Sequence, residues 1–238
     1  MTNPINLQII DAIETKLGII RAANGFNTDI GETVLRARTN KPETELPCCI
    51  IWPQGEKPGG TYGSGNIAWT VKIEGQVEYG SADIITLGAQ MKADIIEAMA
   101  GYAFTRPFNS GGTSEIIVGD TIVGATSTTT GYVMGVSLSS GSWAGGDAVG
   151  SFTIRRKTGR FTDSENLDIQ GGLANQATIT GSQTTIKPIE STTNSLASMI
   201  TYSGGGVDDY PLSGTILGVQ ATFTIEYKHR VGNPYEQE

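Results

Sequence analysis

The chain has 238 residues, enough to bury a real core in one large domain or two small ones, and only 17% of them are charged while 32 are glycine, a balance typical of turn-rich β structure rather than of a disordered chain. A formal net charge of -8 and a pI near 4.7 exclude a nucleic-acid backbone as the main partner, because phosphate binding needs a concentrated basic surface. No run approaches the ~18 apolar residues of a membrane span, and no basic segment followed by an apolar run opens the chain, so a soluble protein made in a cytoplasm is expected.

Asn3-Pro4 predicts a helix start, with Asn as N-cap and Pro at the first helical position, where a missing N–H costs nothing. Ile9, Ile10, Ile13, Leu17 and Ile20 then recur at three- and four-residue spacing as one apolar stripe, and Asn24-Gly25 should stop the helix with a left-handed cap. Phe26-Asn27-Thr28-Asp29-Ile30-Gly31 reads as a tight loop entering a strand at Val34 and Arg36. The polar side chains of this loop would bond nearby backbone, and Gly31 would supply a positive φ. Adjacent Cys48 and Cys49 are expected as free buried thiols, since a bridge between neighbours would be strained. They lie in Pro47 to Trp52, a continuous apolar run suited to a strand buried on both faces. Residues 53–65 read as a hairpin connection; no helix start and no Gly-Lys-Ser/Thr follows Gly60, Gly63 and Gly65, which speaks against a phosphate loop.

From Ile67 to Tyr79, Trp69, Val71, Ile73, Val77 and Tyr79 alternate with Thr70, Lys72, Glu74, Gln76 and Glu78. Near the C-terminus Val219, Ala221, Phe223, Ile225 and Tyr227 alternate in the same way with Gln220, Thr222, Thr224, Glu226 and Lys228. Two long half-wet strands predict one antiparallel or mixed sheet whose apolar face is covered by helices. The second helix is expected after a Ser81 cap, with Ile84, Leu87, Met91, Ile95 and Met99 on one side. Gly88 within that helix implies a close backbone approach.

Residues 105–190 change character to short apolar pairs separated by Gly, Ser and Thr, the rhythm of a small sandwich or barrel. This predicts an α+β core of residues 1–104 and 191–238 interrupted by an inserted all-β domain that projects outward. It would be entered at Arg106-Pro107 and left near Lys187-Pro188. Six basic and seven acidic residues lie between Arg106 and Glu190, so the insert is nearly neutral. Val118 to Val133 has a weak echo in Phe161 to Ile179, which two hairpins packed face to face would explain. Trp143, in Ser140-Gly141-Ser142-Trp143-Ala144-Gly145-Gly146, is expected to plug the core or a loop. That phrase is similar to small β modules found on many phage structural proteins.

The chemical inventory predicts no enzyme, no metal and no organic cofactor. His229 is the one histidine and stands between Lys228 and Arg230 without a patterned nucleophile, and one His with two adjacent Cys cannot make a zinc site. Asp208-Asp209 and Asp163/Glu165/Asp168 lack the calcium-loop pattern and read as solvated turn charges.

The opening helix with its Gly-aromatic-Asn-Thr-Asp-Ile-Gly loop, together with the close Tyr227-Lys228-His229-Arg230-Val231-Gly232-Asn233-Pro234-Tyr235, resembles the tail terminator (tail-completion) proteins of long-tailed bacteriophages. The resemblance covers residues 1–104 and 191–236, and the insert departs from it. It implies a virion structural protein at the tail–neck junction, assembled in the bacterial cytoplasm as a ring of six that caps the tail tube and ends its elongation. Its partners would be further copies of itself, the tail tube protein, the head-completion or neck proteins, and the sheath where the tail contracts. Element ends are where subunits meet in such rings, which marks Phe26, Asn27, Thr28, Asp29, Ile30 and Gly31, and Arg230, Val231, Asn233, Pro234 and Tyr235, as interface residues, with Phe26 and Tyr235 as anchors. A competing expectation is a carbohydrate- or host-surface-binding β module on an α+β carrier.

Overall fold

The computed structural model describes residues 3–37, 45–59, 65–78, 80, 83–101, 103–110, 112–155, 158–186, 196–208, 216–231 and 233–236. Tyr79, Ser81, Gly60, Gly63, Asp209, Pro188 and Gly232, all named above, lie outside them. The chain divides into two compact units: Met1–Ala22, Phe26–Ala100 and Pro188–Glu238 form the first, and Ala23–Gly25 with Gly101–Lys187 form the second. The architecture is α+β, with two α-helices and two sheets among the described residues.

In the first unit the two alternating stretches become β3 (Asn66–Glu78) and β13 (Ile216–Lys228), paired antiparallel along their whole length from Asn66↔Lys228 to Glu78↔Ile216. Val71 faces Phe223 and Ile73 faces Ala221 across this pair, so the apolar halves of both patterns share one face. β2 (Cys48–Pro58) adds antiparallel to β3, and β1 (Thr33–Arg36) adds parallel to β2. β11 (Met199–Gly204) and β12 (Val207–Asp208) pair with the other side of β13, making a mixed six-stranded sheet. Cys48, Cys49, Ile50 and Ile51 are all buried, and neither cysteine is in a disulfide.

Helices α1 (Ile5–Gly18) and α2 (Ile84–Ala100) cover the apolar face: Ile9, Ile13 and Leu17 of α1 and Met91, Ile95 and Met99 of α2 join Val71, Ile73, Val219 and Phe223 in one core. Each such side chain contributes roughly 1.5–3 kcal/mol by leaving water. The helix ends differ from expectation. α1 has no side-chain cap at Pro4, and its Ile5 N–H donates instead to the carbonyl of Pro234 at 2.9 Å. It stops at Gly18; a short 3₁₀ turn, Ala22–Asn24, precedes Gly25, whose φ of 73° is the left-handed conformation predicted there. The cap of α2 is Asp83, which accepts from Ile85 N–H at 3.1 Å and from Thr86 Oγ1 at 2.5 Å. The Thr86 hydroxyl first, and then that N–H, hold the Asp83 carboxyl below its ordinary range.

The second unit is a closed antiparallel barrel. β4 (Ala103–Ser110), β7 (Val149–Arg155), β6 (Thr130–Ser140), β5 (Thr121–Gly124), β8 (Asn166–Ile169) and β9 (Ala177–Ile179) follow one another around it, and β9 pairs back onto β4. β10 (Thr184–Ile186) continues beside the first half of β4, pairing Ile186 with Ala103. The interior holds Phe108 stacked on Phe152 at 4.0 Å and on Trp143 at 5.2 Å, so Trp143 is a core residue. The echoing segments form the hairpins β5–β6 and β8–β9. These are joined edge to edge through β5 and β8 rather than packed face to face, because each is too short to bury a face alone and gains more by completing the wall.

Arg106-Pro107 is not a linker. Both residues lie within β4, and Pro107 falls between the stretch paired with β10 and the stretch paired with β9, where no ladder N–H is required of it. Arg106 is buried; its guanidinium donates to the carbonyls of Gly181 at 2.9 Å and Phe161 at 3.1 Å and pairs with Asp163 at 2.7 Å. Glu165 is likewise no solvated charge: it is buried and accepts from Thr126, Ser127 and Thr162, fixing the β5–β6 turn.

Candidate functional site

The residues singled out by the sequence form two segments of the first unit, and α1 relates them. The Phe26–Gly31 loop follows its C-terminal end: Gly31 N–H donates to Ile20 O at 3.0 Å, and Asp29 Oδ1 accepts from Ala22 N–H at 2.8 Å. The tail turn meets its N-terminal end through the bond from Ile5 to Pro234. α1 is 14 residues long, or roughly 21 Å, so the two segments are held a helix length apart.

Within the loop, residues alternate inward and outward. Phe26, Thr28 and Ile30 are buried while Asn27 and Asp29 are exposed. Phe26, at 5% exposure, and Ile30, at 0%, sit in the unit's own core, which corrects the expectation that Phe26 anchors a neighbouring subunit: an aromatic enclosed by its own helices and sheet has no surface left to offer. Gly31 is needed for close approach and not for a positive φ, since a Cβ there would stand 2.2 Å from Leu17 O.

Asp29 bonds nearby backbone as expected, through Ala22, but the polar groups of Asn27 and Thr28 do not. They converge on Asp94, a fully buried carboxylate in the middle of α2. Asp94 Oδ1 accepts from Asn27 Nδ2 at 2.7 Å and Asn27 N–H at 3.1 Å; Oδ2 accepts from that same N–H at 3.0 Å, from Thr28 N–H at 2.8 Å and from Thr28 Oγ1 at 2.8 Å. Sequence reading passed over Asp94, although a signal was there. Met91, Ile95 and Ala98 make a buried stripe, and an acidic residue three places after the first and four before the last must face the same interior.

The tail turn is built the opposite way. Arg230 N–H donates to Glu236 O at 2.7 Å, Asn233 N–H to Arg230 O at 2.8 Å, and Tyr235 N–H to Asn233 Oδ1 at 3.1 Å, so its backbone closes on itself. Arg230 also pairs with Glu236 at 3.1 Å through side chains that are largely exposed. Val231 and Tyr235 are 54% and 51% exposed, two large apolar side chains on the surface of the unit. His229 opens this turn, donating its N–H to Gly65 O at 3.1 Å, and its Nδ1 stands 3.0 Å from Arg230 O.

Beside the turn, an open groove of about 410 Å³ crosses the strand ends; its floor includes Gly59, Ala68 and Ser198, and its charged groups are Glu226 and Lys228. Tyr227, on the same strand, donates to Glu56 at 3.0 Å; burial and then that carboxylate hold its phenol well above the ordinary range. It is a structural hydroxyl, locked as a donor. Among the described residues, no group of three or more His, Cys, Asp or Glu is arranged to hold a metal ion.

No protein-family model matches the chain, and no curated protein matches its sequence.

Proposed function

We propose that the first unit is the subunit of a closed ring that caps a phage tail tube, ends its elongation and presents a surface to the head-completion proteins, without catalysis and without a cofactor. The supporting observation is the placement of the two segments at opposite ends of α1. A ring closes by rotation when one patch of each copy meets a different patch of the next, and this requires two unlike surfaces held apart on a rigid body. The loop end offers Asp29 and the acceptor oxygen of Asn27; the tail end offers Lys228, Arg230, Val231 and Tyr235. The tail end carries no net positive charge, since Glu236 pairs with Arg230 and Glu226 lines the groove with Lys228; its exposed Val231 and Tyr235 are what set it apart from the acceptor oxygens of the loop end. The resemblance drawn from the sequence supplies the tube, the neck and the ring of six, placing the protein in the virion.

The sugar-binding alternative draws less support. Phe108, Tyr132, Trp143, Phe152 and Phe161 of the barrel are all buried, so these aromatic faces are not offered to a ligand.

The test is to delete residues 232–238 and, separately, to make Asp29→Lys, and then to image tails assembled with each variant. Both should fold, leave tubes uncapped and give overlong tails or tails without heads. Normal tail length and head joining in a strain that lacks the whole protein would sink the proposal.

A further inference from the structure

We infer that Asp94 is the positioning residue of the Phe26–Gly31 loop, fixing the one conformation in which that loop can take part in assembly; the link to assembly rests on the ring-forming reading above. A buried carboxylate is costly unless its lone pairs are met, and here two consecutive loop residues meet both oxygens with backbone and side-chain donors. If stability alone mattered, apolar residues in place of both the carboxylate and the loop groups that bond it would serve as well. What a carboxylate adds is direction. Successive N–H groups converging on one anion form a concavity that only one backbone path provides, so the charge on α2 selects that path.

The consequence reaches the surface. With Asn27 Nδ2 committed to Asp94 and Asp29 Oδ1 to Ala22, the exposed side chains of the loop turn acceptor oxygens outward. Without the carboxylate, Asn27 would be free to turn its amide around and present donors instead. Asp94 touches no partner itself; it acts through the loop. Its neighbour Lys92 ties the same helix to another loop, donating to Gly205 O at 3.1 Å, so α2 is braced where Asp94 must hold still.

Amide hydrogen exchange on D94N and D94A tests this in the isolated protein. In D94N the side-chain NH₂ faces donors that had been bonded to an acceptor. Exchange at Asn27 and Thr28 should rise by about tenfold or more, with the β3–β13 amides changed far less, because local opening and global unfolding are separable. Formate at tens of millimolar, supplied to D94A as a carboxylate without a side chain, should restore part of the protection. Should D94N fail to fold, T28V removes one donor while keeping the charge and gives the same readout. Unchanged protection in these variants, or an equal rise throughout the sheet, would overturn the positioning role.

Capping of purified tail tubes is then scored for wild type and D94N. Loss of capping in D94N with β3–β13 protection intact supports the inference, and normal capping with an opened loop overturns its link to assembly. A wild-type protein that leaves tubes uncapped counts against the ring reading, whereas the exchange result still decides whether Asp94 positions the loop.

Discussion

The Phe26–Gly31 loop and the Arg230–Glu236 turn are both short, both polar, and both placed at the ends of long elements, yet they distribute their side chains in opposite ways. The loop sends Phe26, Thr28 and Ile30 inward and spends its donors on a buried carboxylate. The turn satisfies its own backbone and leaves Val231 and Tyr235 projecting into solvent. The difference teaches that a segment's composition does not say whether its residues serve the fold or a partner. What decides is whether a distant element supplies matching groups, as α2 does for the loop.

Four substitutions break or sharpen that contrast. Phe26→Ala should destabilise the protein by about 3–5 kcal/mol, the range for emptying a buried aromatic site, and thermal or denaturant unfolding would measure it. A loss below about 1 kcal/mol would mean that Phe26 is not part of the core. Gly31→Ala forces a methyl against Leu17 O, and overpacking of this kind should cost roughly 1–3 kcal/mol in the same experiment. Arg230→Ala removes an exposed ion pair and should change stability by less than about 1 kcal/mol, an effect that added salt further reduces. Tyr235→Ala should shift the unfolding midpoint least, within about 0.5 kcal/mol, while weakening attachment to tubes in a sedimentation assay. Wild-type attachment by that variant would place Tyr235 outside the contact surface.

Much of the fold was legible because it is written in local period. The alternation of Trp69, Val71 and Ile73, and of Ala221, Phe223 and Ile225, predicted β3 and β13 in one sheet with an apolar face; the structure adds that the two pair directly and antiparallel. The helical stripes and the change of texture after α2 were equally local signals. What escaped depends on long-range chemistry. Asp94 bonds to residues 66 and 67 positions earlier in the chain, and spacing alone could not name that partner. Arg106-Pro107 was read as the entry to the insert for its Pro, but both residues lie inside β4, where the gap between β10 and β9 accommodates the Pro and the carbonyls of Gly181 and Phe161 hold the Arg. Asn3 was expected to cap α1, whereas the N–H of Ile5 finds its partner in Pro234, more than two hundred positions along the chain. In the candidate site the residue types were read correctly as loop and turn formers, but their orientation was not, because burial of one side chain and exposure of the next is settled by packing.

The pairing of Ala103 with Ile186 across β4 and β10 has a consequence for how the protein reaches this structure. The β3–β13 ladder joins Glu78 to Ile216, a sequence separation of 138, and pairing so distant is entropically slow. Once the barrel has folded, its two chain ends are neighbours, and the 83 positions from Ala103 to Ile186 no longer count as slack. The loop to be closed shrinks to about 55 residues, lowering the closure cost by about 0.8 kcal/mol on logarithmic scaling. A barrel that folds first would therefore hasten formation of the central ladder nearly fourfold, and refolding with the barrel replaced by an equally long unstructured linker should be slower by about that factor.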